Sequence, residues 1–556
     1  MNKRKDFIKN NGLAASGMIL LLVTFAIAIA GCSNTVEETV TCIQLDPLHK
    51  VFKEELYFVE TPDTAAVAKG ETATFQFVLR GTCPIRNLKI EAGNLIRGDR
   101  QISVSEKAFV EYIRAGNHAE KLSRDAVLPI SDLYPDCLTE VEYMDIPSMS
   151  NQPLWIGYDI PRDAVSGDYT ANLVFSGTTK GKPFKINKQI NVRVYNVTLP
   201  EQTLWVTNWF TLSGLSRMNG NERVEPYSDR YWELLKELAH VMRDHRQNTY
   251  LLGRDLVKVE YTGTQFTFDF TNFDKTVELL IGEGGLKRIE GGHLGGGLQG
   301  WGTEFGVSVP KTGLRPFDND TVQQYLSQYL PALYNHLESK GWTKLYIQHI
   351  ADEPTEKNAQ SYIRIAEMVR KHIPGVKIID AVETSRLANT VNVWTPMLNL
   401  YHNEYPFFQE RQTAGDEVWF YTCVFPQGNY ANRFLELPLV QTRYLHWINY
   451  RYGSTGYLHW GLNYWTMNRT NDAAVNTWPG GDSWIVYPAE GKVYSSVRFK
   501  AMRDGIADYE LLKLLEQTNP DMARELASEV IRGFDNYNSN IRAFRLTRLK
   551  LLRALS

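Results

Sequence analysis

The chain has 556 residues, of which 43% are hydrophobic and 22% are charged, and its formal net charge at neutral pH is −3. This length exceeds one ordinary domain, so we expect at least two. The composition excludes a disordered protein, and the small net charge excludes the basic field that collects nucleic acid. Aromatic residues make up 12% of the chain and offer flat apolar faces, which suit sugar rings but also suit ordinary cores.

The N-terminal segment has the layout of an export signal. The basic stretch MNKRKDFIKNN precedes the apolar run LAASGMILLLVTFAIAIA, which is followed by Gly31 and Cys32. This order predicts a signal peptide over residues 1–31. The small residues before the cysteine resemble the bacterial lipobox, so we expect Cys32 to be lipidated and the exported protein to be anchored to a membrane, in the periplasm or at the cell surface. An uncleaved anchor is the alternative, because a run of roughly 18 apolar residues is borderline for a membrane span.

Four further cysteines show no recognisable framework. Their spacing fits neither a disulfide pattern nor a metal-binding pattern, although export would permit disulfides. Cys423 lies in the apolar stretch WFYTCVFP and is typical of a small core residue. We therefore predict no metal and no cofactor. The other three are Cys42, Cys83 and Cys137.

After a short tether over residues 32–40, residues 41–200 are predicted to form a β-sandwich. The segments ETATFQFVLR, QPLWIGYDIP and GDYTANLVFSG are short runs, and several such runs alternate apolar with polar residues. Gly, Pro and Asp separate these runs, as they do between the consecutive strands of a sandwich. Whether this domain binds sugar or only braces its neighbour is left open by the sequence.

Residues 201–495 change to an alternation of strands and helices. Predicted strands include LWVTNWF, TYLLG, LYIQHIADEP, VKIIDAVE, EVWFYTCVF and GYLHWGLNYW, and amphipathic helices such as SDRYWELLKELAHVMRDHR lie between them. About eight such units predict a (β/α)8 TIM-like barrel. A doubly wound open sheet is the alternative, but no Gly-rich nucleotide turn follows the first strand. Residues 496–556 are predicted to be helical and to pack on the exterior of the barrel.

Two adjacent acids, Asp352 and Glu353, end the predicted fourth strand of this barrel. Barrel enzymes build their active sites at the C-terminal ends of the strands, so this position favours a catalytic role. Pro354 supports a chain that turns at this point. The alternative is that one carboxylate caps the helix that follows, predicted over residues 355–372, although Thr355 could serve as the cap instead.

Adjacent carboxylates suit one kind of glycoside hydrolysis better than others. Most glycosidases hold two carboxyl groups on opposite sides of the scissile bond, which neighbouring residues reach awkwardly. In substrate-assisted hydrolysis the 2-acetamido oxygen of the sugar is the nucleophile, so both carboxyl groups work on the same side. For a glycoside substrate, Asp352 would then orient the acetamido group, and Glu353 would be the general acid and base.

The acid pair, the long segment YTCVFPQGNYANRFLELPLVQTRYLHWINYRYGSTGYLHWGLNYW and the segment AMRDGIADYELL together resemble glycoside hydrolase family 123. The resemblance covers nearly all of the chain after the export signal. It implies an exo-acting, retaining β-N-acetylgalactosaminidase that needs no metal and cleaves terminal sugars from glycans or glycolipids. It also implies that the catalytic Asp-Glu pair of the family is Asp352 and Glu353.

A sugar pocket also needs aromatic walls and polar groups, for which residues at the predicted strand ends are candidates. We expect Tyr421 to meet the acetamido oxygen, Trp460 or Trp465 to stack on the ring, and other residues to bind hydroxyls. Each could instead be core packing, and the two tryptophans have opposite parity on an extended strand. The predicted substrate-binding residues are Trp209, His293, Tyr401, Tyr421, Trp460, Asn463 and Trp465.

Two groups of polar residues are left outside the predicted site. His446 and Trp447 lie within a predicted helix and are typical of packing residues. The acids of MRDGIADYE lie on a helix beyond the barrel, where a structural ion-pair role is expected. Two other functions stay open: a β-N-acetylglucosaminidase of the same mechanism, and a carbohydrate-binding lipoprotein without catalysis. Retention of both acids counts against the second.

Overall fold

The computed structural model describes residues 39–61, 64–465 and 478–556. The predicted signal peptide, most of the tether and Cys32 lie outside the described residues. Within those residues, no helix combines the length and apolarity needed to cross a bilayer.

The N-terminal region forms two antiparallel sheets that face one another. Alternate residues of Gly167–Thr179, including Tyr169, Leu173 and Phe175, are buried against the inward residues of Thr72–Gly81. The first sheet has the order Val40–Leu45, Thr72–Gly81, Asn151–Asp159, Glu106–Arg114, Leu133–Thr139. The second has the order Thr64–Lys69, Lys182–Thr198, Gly167–Thr179, Ile85–Ala92, Met144–Ile146, with Leu95–Arg97 and Arg100–Ile102 at its side. The predicted β-sandwich is confirmed.

Eight parallel strands form the second region, and they pair in the order 1-8-7-6-5-4-3-2 of a nearly closed barrel. Their residues are almost wholly buried, as expected for parallel strands covered by helices. The predicted TIM-like barrel is therefore confirmed. In chain order, barrel strands 1 to 8 are Trp205–Asn208, Thr249–Leu252, Arg288–Gly291, Tyr346–His349, Lys377–Val382, Val393–Pro396, Glu417–Tyr421 and Gly456–His459.

Ten helices, two short 3-10 helices and several short strands complete the described part of the chain. The helices are α1 Asp229–Asp244, α2 Thr271–Glu283, α3 Asp320–Lys340, α4 Ala359–His372, α5 Leu398–Asn403, α6 Tyr405–Thr413, α7 Leu439–Tyr452, α8 Val497–Thr518, α9 Pro520–Val530 and α10 Ile541–Ala554. The short 3-10 helices are Leu215–Met218 and Arg254–Leu256. The additional strands are Lys258–Tyr261, Phe266–Asp269, Gly295–Gly297, Phe305–Val309, Gly313–Pro316, Tyr487–Ala489, Lys492–Tyr494, Ile531–Gly533 and Asn536–Tyr537.

Helix α8 joins the two regions. It packs against α7 of the barrel on one side and near sandwich strand Leu133–Thr139 on the other. Arg498 and Asp508 of this helix are completely buried. The predicted C-terminal helix therefore lies between the barrel and the sandwich, rather than only on the barrel exterior.

Candidate active site

The acid pair lies in the loop that follows barrel strand 4. Ile350 and Ala351 follow the strand and are buried, and the chain then turns at Glu353, whose φ of +48° lies in the left-handed region. A non-glycine residue in this region is uncommon and costs energy, and such strain concentrates at functional sites. The turn ends the regular strand, in which successive side chains point to opposite faces, just where Asp352 and Glu353 reach the C-terminal mouth of the barrel.

Neither acid caps the helix that follows. Helix α4 begins only at Ala359, and Asn358 is its N-cap residue. The Asn358 side-chain oxygen accepts a hydrogen bond from the backbone N–H of Thr355 at 2.7 Å. This side-chain contact holds residues 355–358 in a turn, so the predicted helix over residues 355–372 starts four residues late. The structure thus removes the capping alternative for both carboxylates.

Glu353 has the environment of a general acid. The Tyr421 hydroxyl, at the end of barrel strand 7, donates a hydrogen bond to Oε1 of Glu353 at 2.6 Å. Burial, together with the negative charge of Asp352, raises the pKa of Glu353 to about 8, and the Tyr421 hydrogen bond only partly opposes this. Glu353 is therefore protonated at neutral pH, as a proton donor to a leaving group must be.

Asp352 faces the mouth with 40% of its side chain exposed. Burial of its carboxyl group in the structure raises its pKa, while the nearby His293 opposes that rise. His293 follows barrel strand 3, and its Nε2 lies 3.9 Å from Oδ1 of Asp352. Asp352 thus lies beside an imidazole, whereas Glu353 lies beside a phenol.

A row of alternating acidic and imidazole side chains lies beneath Asp352 and Glu353. Three of its members, Glu290, His349 and Asp380, are completely buried. His349 approaches Oδ1 of Asp380 at 2.7 Å through Nδ1 and Oε2 of Glu290 at 2.9 Å through Nε2. Burial disfavours a charge on His349, but the two carboxylates outweigh it and raise the pKa of His349 to about 10. We call Glu290, His349, Asp380 and His293 the buried ladder. It links barrel strands 3, 4 and 5 directly under Asp352.

Aromatic side chains form one wall of the mouth. Trp209 packs with Tyr421 and Trp460 in a small apolar cluster, and its indole nitrogen donates to Oε2 of Glu290 at 3.0 Å. The Trp460 indole donates to Oδ2 of Asp482 at 3.1 Å. Burial raises the pKa of Asp482 to about 7. Of the two predicted stacking residues, Trp460 is therefore the one that reaches this wall.

Three other predicted substrate-binding residues have polar groups that bind the backbone. Tyr401 is fully buried in α5, and its hydroxyl donates to the Tyr452 backbone carbonyl at 2.8 Å. Asn463 is also fully buried, and its side chain binds the backbone N–H and carbonyl of Thr211 at 2.8 and 2.9 Å.

The third is Trp465, whose indole donates to the Val486 carbonyl at 2.8 Å and packs against the core. The polar atoms of all three residues already hydrogen-bond backbone groups, so these contacts give no support to sugar binding, and that role stays a prediction. Trp209, His293, Tyr421 and Trp460 do surround the acid pair or the ladder beneath it.

Family models match both regions of the chain. The model described as glycoside hydrolase 123, catalytic domain, matches residues 209–515, and the model described as glycoside hydrolase 123 N-terminal domain matches residues 54–176. The chain belongs to glycoside hydrolase family 123. It is therefore a glycoside hydrolase, as the resemblance implied, and its substrates are carbohydrates. No curated protein matches the chain.

A solved family 123 enzyme has the same architecture. A family 123 glycoside hydrolase from Clostridium perfringens, studied for glycolipid glycan hydrolysis, is 16% identical, with 93% of this chain and 97% of that chain covered at a TM-score of 0.72. A β-glucuronidase from Parabacteroides merdae is 10% identical at a TM-score of 0.31, covering 84% of this chain and 51% of that chain. A mannanase from Thermotoga petrophila is 11% identical at 0.35, covering 56% and 77%. The last two scores are too low to support any conclusion.

Three of the four members of the buried ladder were missed in the sequence of this family 123 chain, and only His293 was predicted. Glu290, His349 and Asp380 each stand at the end of an apolar run, in RIEGG, LYIQHI and KIID. A charged or titratable residue inside a buried strand is costly unless it is paired, which is the signal that could have marked them. Their pairing could not be read, because the partners come from different strands.

Three members of the ladder also have a geometry that could surround a cation. One ligand atom each from His293, His349 and Asp380 lies within 4.8 Å of the others. Both ring nitrogens of His349 already face carboxylates at hydrogen-bond distance, so coordination would require breaking one of these contacts. The ladder is explained without a metal, and the predicted lack of one stays a prediction.

Cavities lie both at the mouth and far from it. A cavity of about 570 Å³ opens beside His293, between the loops after barrel strands 1, 2 and 3, and is lined by Phe210, Thr211, Arg254 and Asp255 among others. A larger one, of about 860 Å³, lies between the sandwich and α10. The smaller cavity is lined in part by His293, the neighbour of Asp352, and is large enough to take part in sugar binding.

Proposed function

We propose that this family 123 hydrolase is an exo-acting, retaining β-N-acetylgalactosaminidase that uses substrate-assisted catalysis. The observation that carries the proposal is the pair of adjacent acids at one strand end, of which Glu353 is protonated at neutral pH. Because neighbouring residues reach the same side of a sugar, they suit a mechanism in which neither acid attacks C1.

The first step breaks the glycosidic bond. The 2-acetamido oxygen attacks C1 while Glu353 gives its proton to the departing oxygen, which leaves as an alcohol. The product is an oxazolinium ion, and Asp352 accepts a hydrogen bond from its N–H and balances its positive charge. Glu353 is then a carboxylate, and the hydrogen bond from Tyr421 at 2.6 Å stabilises that charge.

The second step returns the enzyme to its starting state. Glu353 takes a proton from water, whose oxygen attacks C1 from the side that the leaving group vacated. The C1–O bond of the oxazolinium ring breaks, its electron pair restores the acetamide, and the sugar is released with retained β configuration. Trp209 and Trp460 line the wall where an aromatic face can pack on the sugar ring.

The choice of N-acetylgalactosamine rests on the family resemblance. The related hydrolase from Clostridium perfringens was studied for glycolipid glycan hydrolysis, which supports a glycan or glycosphingolipid substrate for this chain as well. N-acetylglucosamine differs from N-acetylgalactosamine only in the configuration of its 4-hydroxyl group, and it is the alternative. We also propose that Cys32 is lipidated after export, which would hold the enzyme at the membrane surface where glycolipids occur.

Release of 4-nitrophenol from the β-N-acetylgalactosaminide, the β-N-acetylglucosaminide and the β-galactoside tests the proposal. We expect turnover of the first and none of the β-galactoside, which lacks the acetamido nucleophile. Asp352→Asn and Glu353→Gln should each lower the rate by ~100-fold or more. Glu356→Gln is the matched control, since Glu356 is a largely exposed acid of the same loop and should retain full activity.

Each other outcome has a definite reading. Rapid cleavage of the β-galactoside would contradict substrate assistance. Preference for the glucosaminide would keep the mechanism and change the sugar. A wild-type protein that binds glycans but cleaves no N-acetylhexosaminide, including natural glycolipid glycans, would favour the non-catalytic lipoprotein. For the anchor, Cys32→Ser should move the protein from the membrane fraction to the soluble fraction, and unchanged partitioning would contradict lipidation.

A further inference from the structure

His293 has a polar atom whose position the fold leaves unexplained. Its Nε2 is buried and makes no hydrogen bond among the described residues. It points between two carboxylate oxygens, Oδ1 of Asp380 at 3.4 Å and Oδ1 of Asp352 at 3.9 Å. A buried donor without a partner costs free energy, so a residue retained in this state needs a reason.

Asp380 is one of the two carboxylates that face Nε2 of His293, and its own hydrogen bonds hold it in place. Its Oδ1 contacts His349 at 2.7 Å, and its Oδ2 accepts from the backbone N–H of Ile350 at 2.9 Å and from the Tyr362 hydroxyl. These contacts come from barrel strand 4, the residue after it and α4, so the Asp380 carboxylate cannot turn. Opposing charges also keep the pKa of Asp380 below its usual value despite its burial.

His349 fixes the far end of the ladder. It is held between Glu290 and Asp380, and its ring lies 4.6 Å from the His293 ring, centre to centre. The Trp209 ring meets His293 edge-on at 5.4 Å. His293 is therefore flanked by the rings of His349 and Trp209, while its Nε2 faces the two carboxylates at 3.4 and 3.9 Å.

We propose that His293 is the positioning residue for Asp352: it donates its Nε2–H alternately to Asp380 and to Asp352, and the buried ladder exists to hold it at that gap. This inference rests on the proposed function, in which Asp352 must be ionised and turned toward the acetamido N–H. When His293 donates to Oδ1 of Asp352, it fixes the carboxylate rotamer and leaves Oδ2 for the substrate.

The ionisation of Asp352 should therefore depend on His293. Burial raises the pKa of Asp352, and His293 is the first contact that lowers it again. Without this neighbour, Asp352 should take up a proton at higher pH, and the acidic limb of the activity profile should move up with it. The other titratable groups whose charge interacts with Asp352 are Glu353, Asp380, His349, Glu383, Cys423 and Tyr464.

The test compares His293→Asn with wild type in pH profiles of kcat/KM on 4-nitrophenyl β-N-acetylgalactosaminide. The asparagine amide is too short to reach Asp352. We expect kcat to fall roughly tenfold and the acidic limb to rise by about one pH unit, while the alkaline limb, set by Glu353, stays in place. His402→Asn is the matched control, because His402 lies in α5, contacts the Tyr430 hydroxyl and is not part of the ladder. In this variant neither limb of the profile should move.

A lower kcat with both limbs unmoved in a folded His293→Asn protein would overturn the proposal, since a merely structural role predicts that result. Activity that is lost on chelation and restored by a divalent cation would also overturn it, because His349 and Asp380 would then be metal ligands. Titration of the Asp352 carboxyl carbon by NMR, assigned through Asp352→Asn, needs no turnover. A higher midpoint in His293→Asn supports the proposal even if the hydrolase cleaves none of these glycosides, whereas an equal midpoint contradicts it.

Discussion

Buried charges occur in two regions of this molecule and are treated in opposite ways. At the junction of the sandwich and α8, each acid meets a guanidinium or ammonium group: Asp136 with Arg498 at 2.8 Å, and Glu106 with Lys500 and Arg503 at 2.7 and 2.6 Å. At the barrel mouth, Asp352 and Glu353 contact no Arg or Lys side chain among the described residues.

The pKa values follow this difference. Opposing charges outweigh burial and lower the pKa of Glu106, and they lower that of Asp508 to about 2. At the mouth burial prevails, and the pKa values of Glu353 and Asp482 rise to about 8 and 7. A buried acid that is fully paired serves folding, whereas one that is left unpaired can exchange a proton with a substrate.

Breaking the junction should have the largest effect on stability. Arg498→Met leaves the buried Asp136 carboxylate without an opposite charge in contact, with only the Tyr487 hydroxyl as a partner among the described residues, so we expect the free energy of unfolding to fall by about 3–5 kcal/mol. Urea unfolding measures it. Arg524→Met, at an exposed ion pair in α9, should change stability by less than ~0.5 kcal/mol. An equal effect of the two changes would remove the distinction between the regions.

Removing an unpaired acid should instead stabilise the fold. The folded pKa of Glu353, about 8, lies above its ordinary value of 4.5, so folding favours the protonated form. That contribution is complete below pH 4.5 and is lost as pH rises through 8. Glu353→Gln should therefore gain stability over wild type as the pH rises from 4.5 to 8, reaching on the order of 4–5 kcal/mol at pH 9. Thermal unfolding from pH 5 to 9 checks this, and a constant difference would contradict it.

The hydrogen bond from Tyr421 should tune the acid. It favours the ionised form of Glu353, so Tyr421→Phe should raise the pKa further and move the alkaline limb of kcat/KM upward. We also expect kcat to fall about tenfold, because the carboxylate formed in the first step loses a donor. A profile identical to wild type would mean that this contact has no role in catalysis.

The same chemical change at Tyr401 should have the smallest effect. Tyr401→Phe removes one hydrogen bond to a buried carbonyl and should cost about 1 kcal/mol of stability. Because the residue lies in α5 and not at the mouth, kcat and KM should match wild type. A rise in KM would restore Tyr401 to the substrate site and contradict its assignment to the core.

The fold could be predicted because its signals are local. Alternation marked strands such as Gly167–Thr179, and repeated strand–helix units marked the barrel. Asp352 and Glu353 could be singled out in the sequence because the end of a strand is also a local feature. The contact of Glu353 with Tyr421 spans 68 residues, and that of His349 with Glu290 spans 59, so only the folded barrel reveals them.

The sequence also could not show which polar side chains bind the backbone. Asn463 has the polar group that a sugar site needs, yet Thr211 of a neighbouring loop occupies it. Asn358 shortened a helix that propensity would have started earlier. A single sequence shows which residues can form hydrogen bonds, but not which partner each one meets.

Azide rescue tests the central claim most directly, namely that Glu353 moves protons and the acetamido group attacks C1. The substrate would be 4-nitrophenyl β-N-acetylgalactosaminide, whose leaving group needs little protonation, and the enzyme would be Glu353→Ala. We expect azide to restore the rate and NMR to show a β-glycosyl azide, since azide opens the oxazolinium ring from the vacated face. An α-glycosyl azide would show that Glu353 itself is the nucleophile and would contradict the account.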